Sequence, residues 1–267
     1  MQYDEYPVSE PLSRYVQTIW AMQSENDEDI YPRSLIMPDG IVEIIFHYET
    51  PFYTWQRNTS FSQPENFAVS MMRQYIEIGS SGKAGFISVR FFPWGAYHFF
   101  NVPVQTFLDQ TIDAQELWGN CSGKIITELK SLTTINDRFK AVEWFLLEKL
   151  DLYQKSETQT DHAIKRIRET KGVLSMEEIY ADTGFSKKQL ERKFLATVGV
   201  TPKVFSRITR FLNICRNLKA QKNKTLTQLT YECGFYDQAH FIKEFKAFSG
   251  FTPTAFFEKE RIYFSEI

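Results

Sequence analysis

Two short polar stretches carry most of the chemistry that this chain could perform. SKKQLERK, residues 186–193, and YDQAHFIK, residues 236–243, each follow directly on a glycine-phenylalanine pair, Gly184-Phe185 and Gly234-Phe235. Between them they hold lysines, an arginine, amides, carboxylates and an imidazole, groups that exchange hydrogen bonds with polar surfaces and supply positive charge. No bond-making arrangement accompanies them, since G-x-S-x-G, P-loop and G-x-G-x-x-G patterns are all missing from the sequence. His47 and His98 stand about fifty positions apart, unlike the closely spaced His/Glu set of a metal-binding β-barrel. Cys121, Cys215 and Cys233 are scattered, odd in number and in no metal-ligand spacing, as suits a reducing compartment. The expectation is therefore recognition without catalysis: no enzyme, no metal and no cofactor.

The elements that must position these stretches occur twice. Aligning the Gly-Phe pairs places Met176 on Leu226 and Ile179 on Leu229. After the pair the second copy gains one residue, and Leu190 then matches Phe241, Phe194 matches Phe245, Gly199 matches Gly250 and Thr201-Pro202 matches Thr252-Pro253. What the copies share is mostly apolar, glycine or proline, the residues that set packing and turns. What they do not share is mostly the polar residues at the start of the second helix. Each copy thus predicts a helix, a turn at glycine and a second helix with an exposed polar start, the arrangement that lays its second helix in the DNA major groove. Ser175 with Glu178 forms a capping-box pattern, and each Thr-Pro pair puts a capping hydroxyl before a proline at the first helical position. Residues 202–220 predict a connecting helix roughly 28 Å long. Phe205, Ile208, Leu212, Cys215 and Leu218 make its apolar stripe. Such a rod could hold two recognition helices about one DNA turn apart, roughly 34 Å. The alternative is a helical protein-interaction adaptor without DNA binding, although two copies fall short of the three or so that a solenoid needs.

Composition agrees with a two-domain globular chain of 267 residues, 43% hydrophobic and 24% charged. Residues 1–156 carry 12 basic and 20 acidic side chains, net −8, while residues 157–267 carry 19 and 13, net +6. A basic half on an acidic half is the split expected when one part meets a polyanion. No apolar run approaches the roughly 18–20 residues of a membrane span, and the acidic start predicts no secretory leader. A cytoplasmic, nucleoid-associated protein is expected. The polar segment DLYQKSETQT, residues 151–160, reads as the linker between domains at 1–155 and 156–267. Residues from about 12 to 108 read as strands, with a turn at Pro38-Asp39-Gly40. INDRFKAVEWFLLEKL follows with helical spacing of apolar residues and Asn136 as its N-cap. The fold class is α+β: a β-rich N-terminal domain, cupin-like or a related small barrel, ahead of an all-α C-terminal domain with two helix-turn-helix units joined by a long helix.

The residues Ile179, Ala181, Gly184-Phe185-Ser186, Leu190, Arg192, Phe194, Gly199 and Thr201-Pro202, with Arg210 on the connector, carry a resemblance. So do Gly234-Phe235, Asp237-Gln238, His240-Phe241, Phe245-Lys246 and Gly250-Phe251-Thr252-Pro253. Together they resemble the DNA-binding domain of AraC/XylS transcription regulators over residues 160–260. The resemblance implies base contacts from Lys187, Lys188, Glu191 and Arg192 in the first unit and from Gln238, Ala239, His240 and Lys243 in the second. Arg192 would pair with guanine, Gln238 with adenine, Glu191 would accept from cytosine, and Ala239 would touch a thymine methyl. Lys187 and Lys188 fit phosphates equally well, Glu191 could instead pair with a neighbouring lysine, and Lys243 stands where the family often has arginine. Thr230, where alanine is usual, is a packing departure, and Lys222 reads as a non-specific contact. The resemblance also implies RNA polymerase as a partner beside double-stranded DNA. The clustered cysteines of a cysteine-activated repair regulator are absent.

LSRYVQTIW (12–20), IMPDGIVEIIFHY (36–48), ISVRFFPWGAYHFFNVP (87–103) and TFLDQTIDAQELWG (106–119) resemble an uncharacterised β-rich domain found ahead of such DNA-binding domains. By analogy it senses a small-molecule effector or forms a homodimer. Of 42 aromatic residues 26 lie in residues 1–156, and Phe91, Phe92, Trp94, Tyr97, Phe99 and Phe100 cluster as either pocket or core. The ligand candidates are His47, Arg90, Trp94 and His98, with Glu43 a further polar group, although nothing in their spacing brings them together.

Overall fold

The computed structural model describes residues 1–56, 59–156, 158–220, 225–257 and 262–263; Lys222 lies outside the described residues. In the N-terminal half, β1 (Gln2–Tyr6), β2 (Val16–Gln23), β4 (Glu43–His47), β7 (Asn66–Val69), β9 (Gly85–Phe91) and β10 (Thr111–Asp113) build one antiparallel sheet. Its strand order is β1-β2-β9-β4-β7-β10. A second sheet, in the order β11-β3-β8-β5-β6, contains β3 (Ser34–Ile36), β5 (Tyr53–Gln56), β6 (Thr59–Ser62), β8 (Ile76–Gly79) and β11 (Ile262–Tyr263). Its strands pair antiparallel except that β11, from the far end of the chain, lies parallel to β3. The expected β-rich domain is therefore two sheets, and among the described residues they do not close into a barrel. The Pro38-Asp39-Gly40 turn makes no hairpin: it carries the chain from β3 in one sheet to β4 in the other.

Alternation along the strands decides what each face meets. Ile44 and Phe46 of β4 join Ile87, Val89 and Phe91 of β9 in the main N-terminal core. Two helices cover that face, α3 (Cys121–Ser131) and α4 (Ile135–Tyr153), through Ile125, Leu129, Val142 and Phe145 among others. The short helices α1 (Glu10–Ser13) and α2 (Ala114–Trp118) close its ends. The opposite face, with Glu43, Ile45 and Arg90, looks toward the second sheet across a cavity. The N-cap of α4 is Thr134 rather than Asn136. Thr134 has the extended backbone a cap needs and its hydroxyl accepts from the Asp137 N–H at 3.1 Å, which leaves Asn136 inside the first turn.

Helix α4 runs through the first residues of the expected linker, and α5 (Gln159–Glu169) begins inside its other end, capped by a reciprocal Thr158–Asp161 box. The connection between them is pinned by Lys155, whose ammonium donates to the carbonyls of Tyr97 at 2.6 Å and Phe100 at 2.9 Å. Then follow α6 (Met176–Thr183), α7 (Lys187–Val198), α8 (Pro202–Ala220), α9 (Leu226–Glu232), α10 (Gln238–Ser249) and α11 (Pro253–Phe257). The two copies fold alike. Ser175 with Glu178 and Thr225 with Gln228 close reciprocal capping boxes, and both Thr-Pro pairs start helices. The glycines at 184 and 234, and those at 199 and 250, all have positive φ between 65° and 88° at the same places in each copy.

The 19-residue α8 holds both copies. Its Phe205, Ile208, Phe211, Leu212 and Cys215 are buried in one core shared with Leu190, Phe194, Phe241 and Phe245; the Leu218 side chain lies outside the described residues. Phe211 meets Phe245 at 5.3 Å and Phe248 at 5.4 Å, and Arg207 grips Glu244 of α10 with two hydrogen bonds of 2.7 and 2.8 Å. Arg210 donates to the Gly172 carbonyl at 2.7 Å, tying the turn after α5 to the same rod. Thr230, buried, returns its hydroxyl to the Leu226 carbonyl at 2.8 Å, so it fills an alanine-sized place without an unmet donor. Phe211→Ala should cost about 3–5 kcal/mol in urea denaturation, the range for truncating a buried phenylalanine. Trp144→Ala, at a side chain 71% exposed on α4, should stay within about 0.5 kcal/mol of the parent.

Candidate nucleic-acid interface and ligand cavity

The starts of α7 and α10 are the ends that offer themselves to a partner. Ser186 caps α7 by accepting from the Gln189 N–H while Gln189 reaches back to the Ser186 N–H at 3.0 Å. Asp237 caps α10 by accepting from the His240 N–H at 2.7 Å. Each cap fixes the first turn and leaves the helix's partial positive charge pointing outward, favourable toward phosphate. Lys187, Lys188, Arg192, Gln238, Ala239, His240 and Lys243 are exposed and Glu191 is half-buried. Among the described residues no ion pair or side-chain hydrogen bond occupies Lys187, Lys188, Glu191, Arg192, Gln238 or Lys243. The His240 ring rests edge-on against Phe235 at 5.4 Å, which aims it along the helix start. Tyr236, 90% exposed beside the cap, is an aromatic that the sequence reading passed over.

The opposite ends of both helices sit on the N-terminal domain. At the C-cap of α7 a Cβ on Gly199 would come within 3.1 Å of Val104 and 3.3 Å of Ser70. At the C-cap of α10 a Cβ on Gly250 would collide with the ring of Tyr75, and Tyr75 packs on Phe251 at 5.4 Å. The loop of β7 to β8 thus touches the C-terminal ends of both α7 and α10. Gly40, in the turn after β3, lies against the connector, 3.3 Å from an Ile208 methyl when given a Cβ.

Comparison with known proteins fits this geometry. Residues 180–259 match the family described as a helix-turn-helix domain. The helical region is an AraC-type helix-turn-helix domain. Its presence makes the protein a DNA-binding transcription regulator. Ahead of the AraC-type domain, residues 4–113 match a domain of unknown function, DUF6597. No curated protein matches the chain. Among solved structures, ToxT from Vibrio cholerae is similar at 13% identity and a TM-score of 0.48, over 96% of this chain and 98% of that one. ToxT with a bound unsaturated fatty acid gives 13% and 0.43, over 89% and 92%. The AraC-like transcriptional activator CuxR gives 11% and 0.22, over 91% and 80%. These are remote likenesses.

The domain ahead of the AraC-type region encloses a cavity of about 340 Å³ between its two sheets, within the range of small-ligand sites. Of the ligand candidates Arg90 lines it and His47, Trp94 and His98 do not. His47 lies behind the wall, its Nε2 3.1 Å from the Gln63 amide oxygen, and burial drives its pKa down to about 4, so it stays neutral at physiological pH. His98 is buried against Tyr15, with Nδ1 accepting from the Lys155 N–H at 3.1 Å. Trp94 stands between the domains: its indole donates to the Arg14 carbonyl at 2.9 Å, and Lys165 of α5 lies 5.1 Å over its ring. In the aromatic cluster Phe91, Phe99 and Phe100 are core, and Phe92 stacks on Trp94 at 4.8 Å.

Two carboxylates join Arg90. Its guanidinium donates to Asp39 at 3.0 Å and stands 3.4 Å from Glu43. Asp39 was legible only as a turn residue, yet the cross-strand register sets Glu43 opposite Arg90 and the turn folds Asp39 back over both. Burial pushes the Asp39 pKa up to about 6, outweighing the pull of Arg90, while Glu43 adds to the rise. For Arg90 burial is the largest effect and acts downward, but Glu43, Asp39 and Tyr3 together raise its pKa. Asp39 binds a proton more readily folded than unfolded, so its ionisation opposes folding as pH rises from about 4 through about 6. Chemical denaturation across this window should show the parent losing on the order of 2–3 kcal/mol relative to Asp39→Asn, with Arg90 and Glu43 unchanged.

Proposed function

We propose that this regulator reads two successive major grooves of one DNA face with α7 and α10, and that its N-terminal domain adjusts the reading in response to a small molecule. The observation that carries the proposal is the shared polarity of the two helices. Both trailing ends are seated on the N-terminal domain, and both capped leading ends stand exposed with polar side chains that no neighbour occupies. Arg192 pairs with guanine, Gln238 with adenine, Glu191 accepts from cytosine and Ala239 touches a thymine methyl, while Lys187, Lys188 and Lys243 anchor on phosphates or bases and His240 donates. In the same reading the protein works on nucleoid DNA in the cytoplasm, contacts RNA polymerase and associates with a second copy.

Two loops support the sensing role. Met37 to Ile41 and Val69 to Ile76 contribute to the cavity wall. The first rests on α8 at Gly40, and the second touches the C-caps of α7 and α10 through Ser70 and Tyr75. A ligand that shifts either loop acts directly on the bodies that set the recognition helices, which is a coupling between two sites in the thermodynamic sense.

Binding-site selection with Arg192→Ala should return a motif relaxed at one position, at a cost of about 1–3 kcal/mol for the preferred base there. An unchanged motif would remove Arg192 from base reading. Lys222→Ala should weaken all sequences alike and flatten the salt dependence by about one counterion. Gel shifts at several salt concentrations separate this reading from a protein-interaction adaptor, which would retain no DNA fragment at low salt. In the full chain, Tyr75→Ala should change DNA affinity several-fold with the melting transition still cooperative, and unchanged affinity would take the coupling away from that loop.

A further inference from the structure

The wall of the cavity is written by strand register. Thr18, Arg90, Glu43, Val69 and Thr111 pair across β2, β9, β4, β7 and β10 as one row, and all five line the cavity. Two residues along the strands, the next row supplies Trp20, Ile45 and Phe67. The result is an apolar, aromatic chamber with a single charged corner, where Asp39 hangs over the row from its turn.

That corner is one positive charge short. Asp39, Glu43 and Arg90 are its acidic and basic groups among the described residues, and none of those lining the cavity is a lysine or histidine. Arg90 already serves both carboxylates, its Nη2 donating to Asp39 at 3.0 Å and its Nε standing 3.4 Å from Glu43. Glu43 takes the Ser88 hydroxyl on the oxygen that faces Arg90, and its other oxygen accepts no hydrogen bond among the described residues. All three side chains are largely withdrawn from solvent, with 14–23% of their surface left. An excess buried carboxylate is costly until a cation joins it. The raised pKa of Asp39 shows the same imbalance from the proton's side.

We infer that the cavity binds a small apolar molecule carrying a protonated amine, its ammonium between Asp39 and Glu43 and its body among Trp20, Ile45, Phe67 and Phe86. The inference rests on the reading of the first domain as a small-molecule sensor and assigns the chemistry of what it senses. An ammonium brings the missing charge and three donors to carboxylates that have lone pairs to give. Aromatic walls favour a cation beside them. A carboxylate ligand of the same shape would add a third negative charge and compete with Asp39 for Arg90.

The test uses the full-length protein and three probes matched in length: 4-phenylbutylamine, 4-phenylbutanol and 4-phenylbutanoate. Titration calorimetry at pH 7.5 should show the amine binding at least tenfold tighter than the alcohol, with the carboxylate weakest. Glu43→Gln and Asp39→Asn should each lower affinity for the amine about tenfold and leave the alcohol unaffected. Because Asp39→Asn disturbs a turn, Glu43→Gln provides the second reading in a strand whose register stays intact. Equal or tighter binding of the carboxylate, or no binding of any probe, overturns the amine assignment. Each titration is paired with a gel shift to keep the two readings apart. Amine binding with unchanged DNA affinity upholds the site and sinks the sensor. A carboxylate that binds and alters DNA affinity does the reverse.

Discussion

One buried stripe on α8 organises the helical half of this protein. A lone helix-turn-helix unit of two short helices has too little apolar surface to fold by itself, and each copy here solves that problem by packing on the same rod. Phe194 reaches Phe205 near one end, and Phe245 and Phe248 reach Phe211 further along, so α7 and α10 become parts of one core. Their separation is then a property of helix geometry rather than of a tether. Under the proposed two-groove reading this stiffness is an advantage, since a flexible joint would lose ordering entropy at each encounter.

The rod is also where the two halves of the chain meet. Met37 and Met71 of the N-terminal domain are buried in the helical core, β11 from the C-terminal end pairs with β3, and Lys155 fastens the connection between the domains. The helical core thus takes in side chains from before the linker, while the main N-terminal core is built without any described residue after it. The same arrangement puts two of the loops that line the cavity against the helical domain, at α8 through Gly40 and at the C-caps of α7 and α10 through Ser70 and Tyr75. Seating the glycine C-caps on the N-terminal domain has the further effect of leaving the capped N-termini, with their positive partial charge, to the outside.

Legibility in the sequence differed sharply between the halves. In the C-terminal half the start of α5 was hidden in the expected linker, but three helix starts announced themselves. Ser175, Thr201 and Thr252 capped as their neighbours required, and the duplicated glycines marked turns that only a left-handed residue makes cheaply. Local chemistry was enough, because helix hydrogen bonds close within four residues. Asn136 shows the limit of the same logic, since two capping-type residues stood close together and the backbone conformation of Thr134 decided between them. In the N-terminal half the strands could be suspected but not paired. β1, with its polar residues, and the three-residue β10 escaped notice because edge strands have little apolar pattern, and the Pro38-Asp39-Gly40 turn joined two different sheets instead of a hairpin.

The amino-acid sequence by itself determined the repeated helical scaffold, its caps and turns, and the polar residues that differ between copies, since each depends on neighbours only a few positions away. Only the tertiary structure decided that Arg90 meets Glu43 and Asp39, that His47, His98 and Trp94 stand apart from the cavity, and that the aromatic cluster is largely core. Those outcomes depend on strand order and register, which join residues some fifty positions apart through backbone hydrogen bonds that no local pattern encodes.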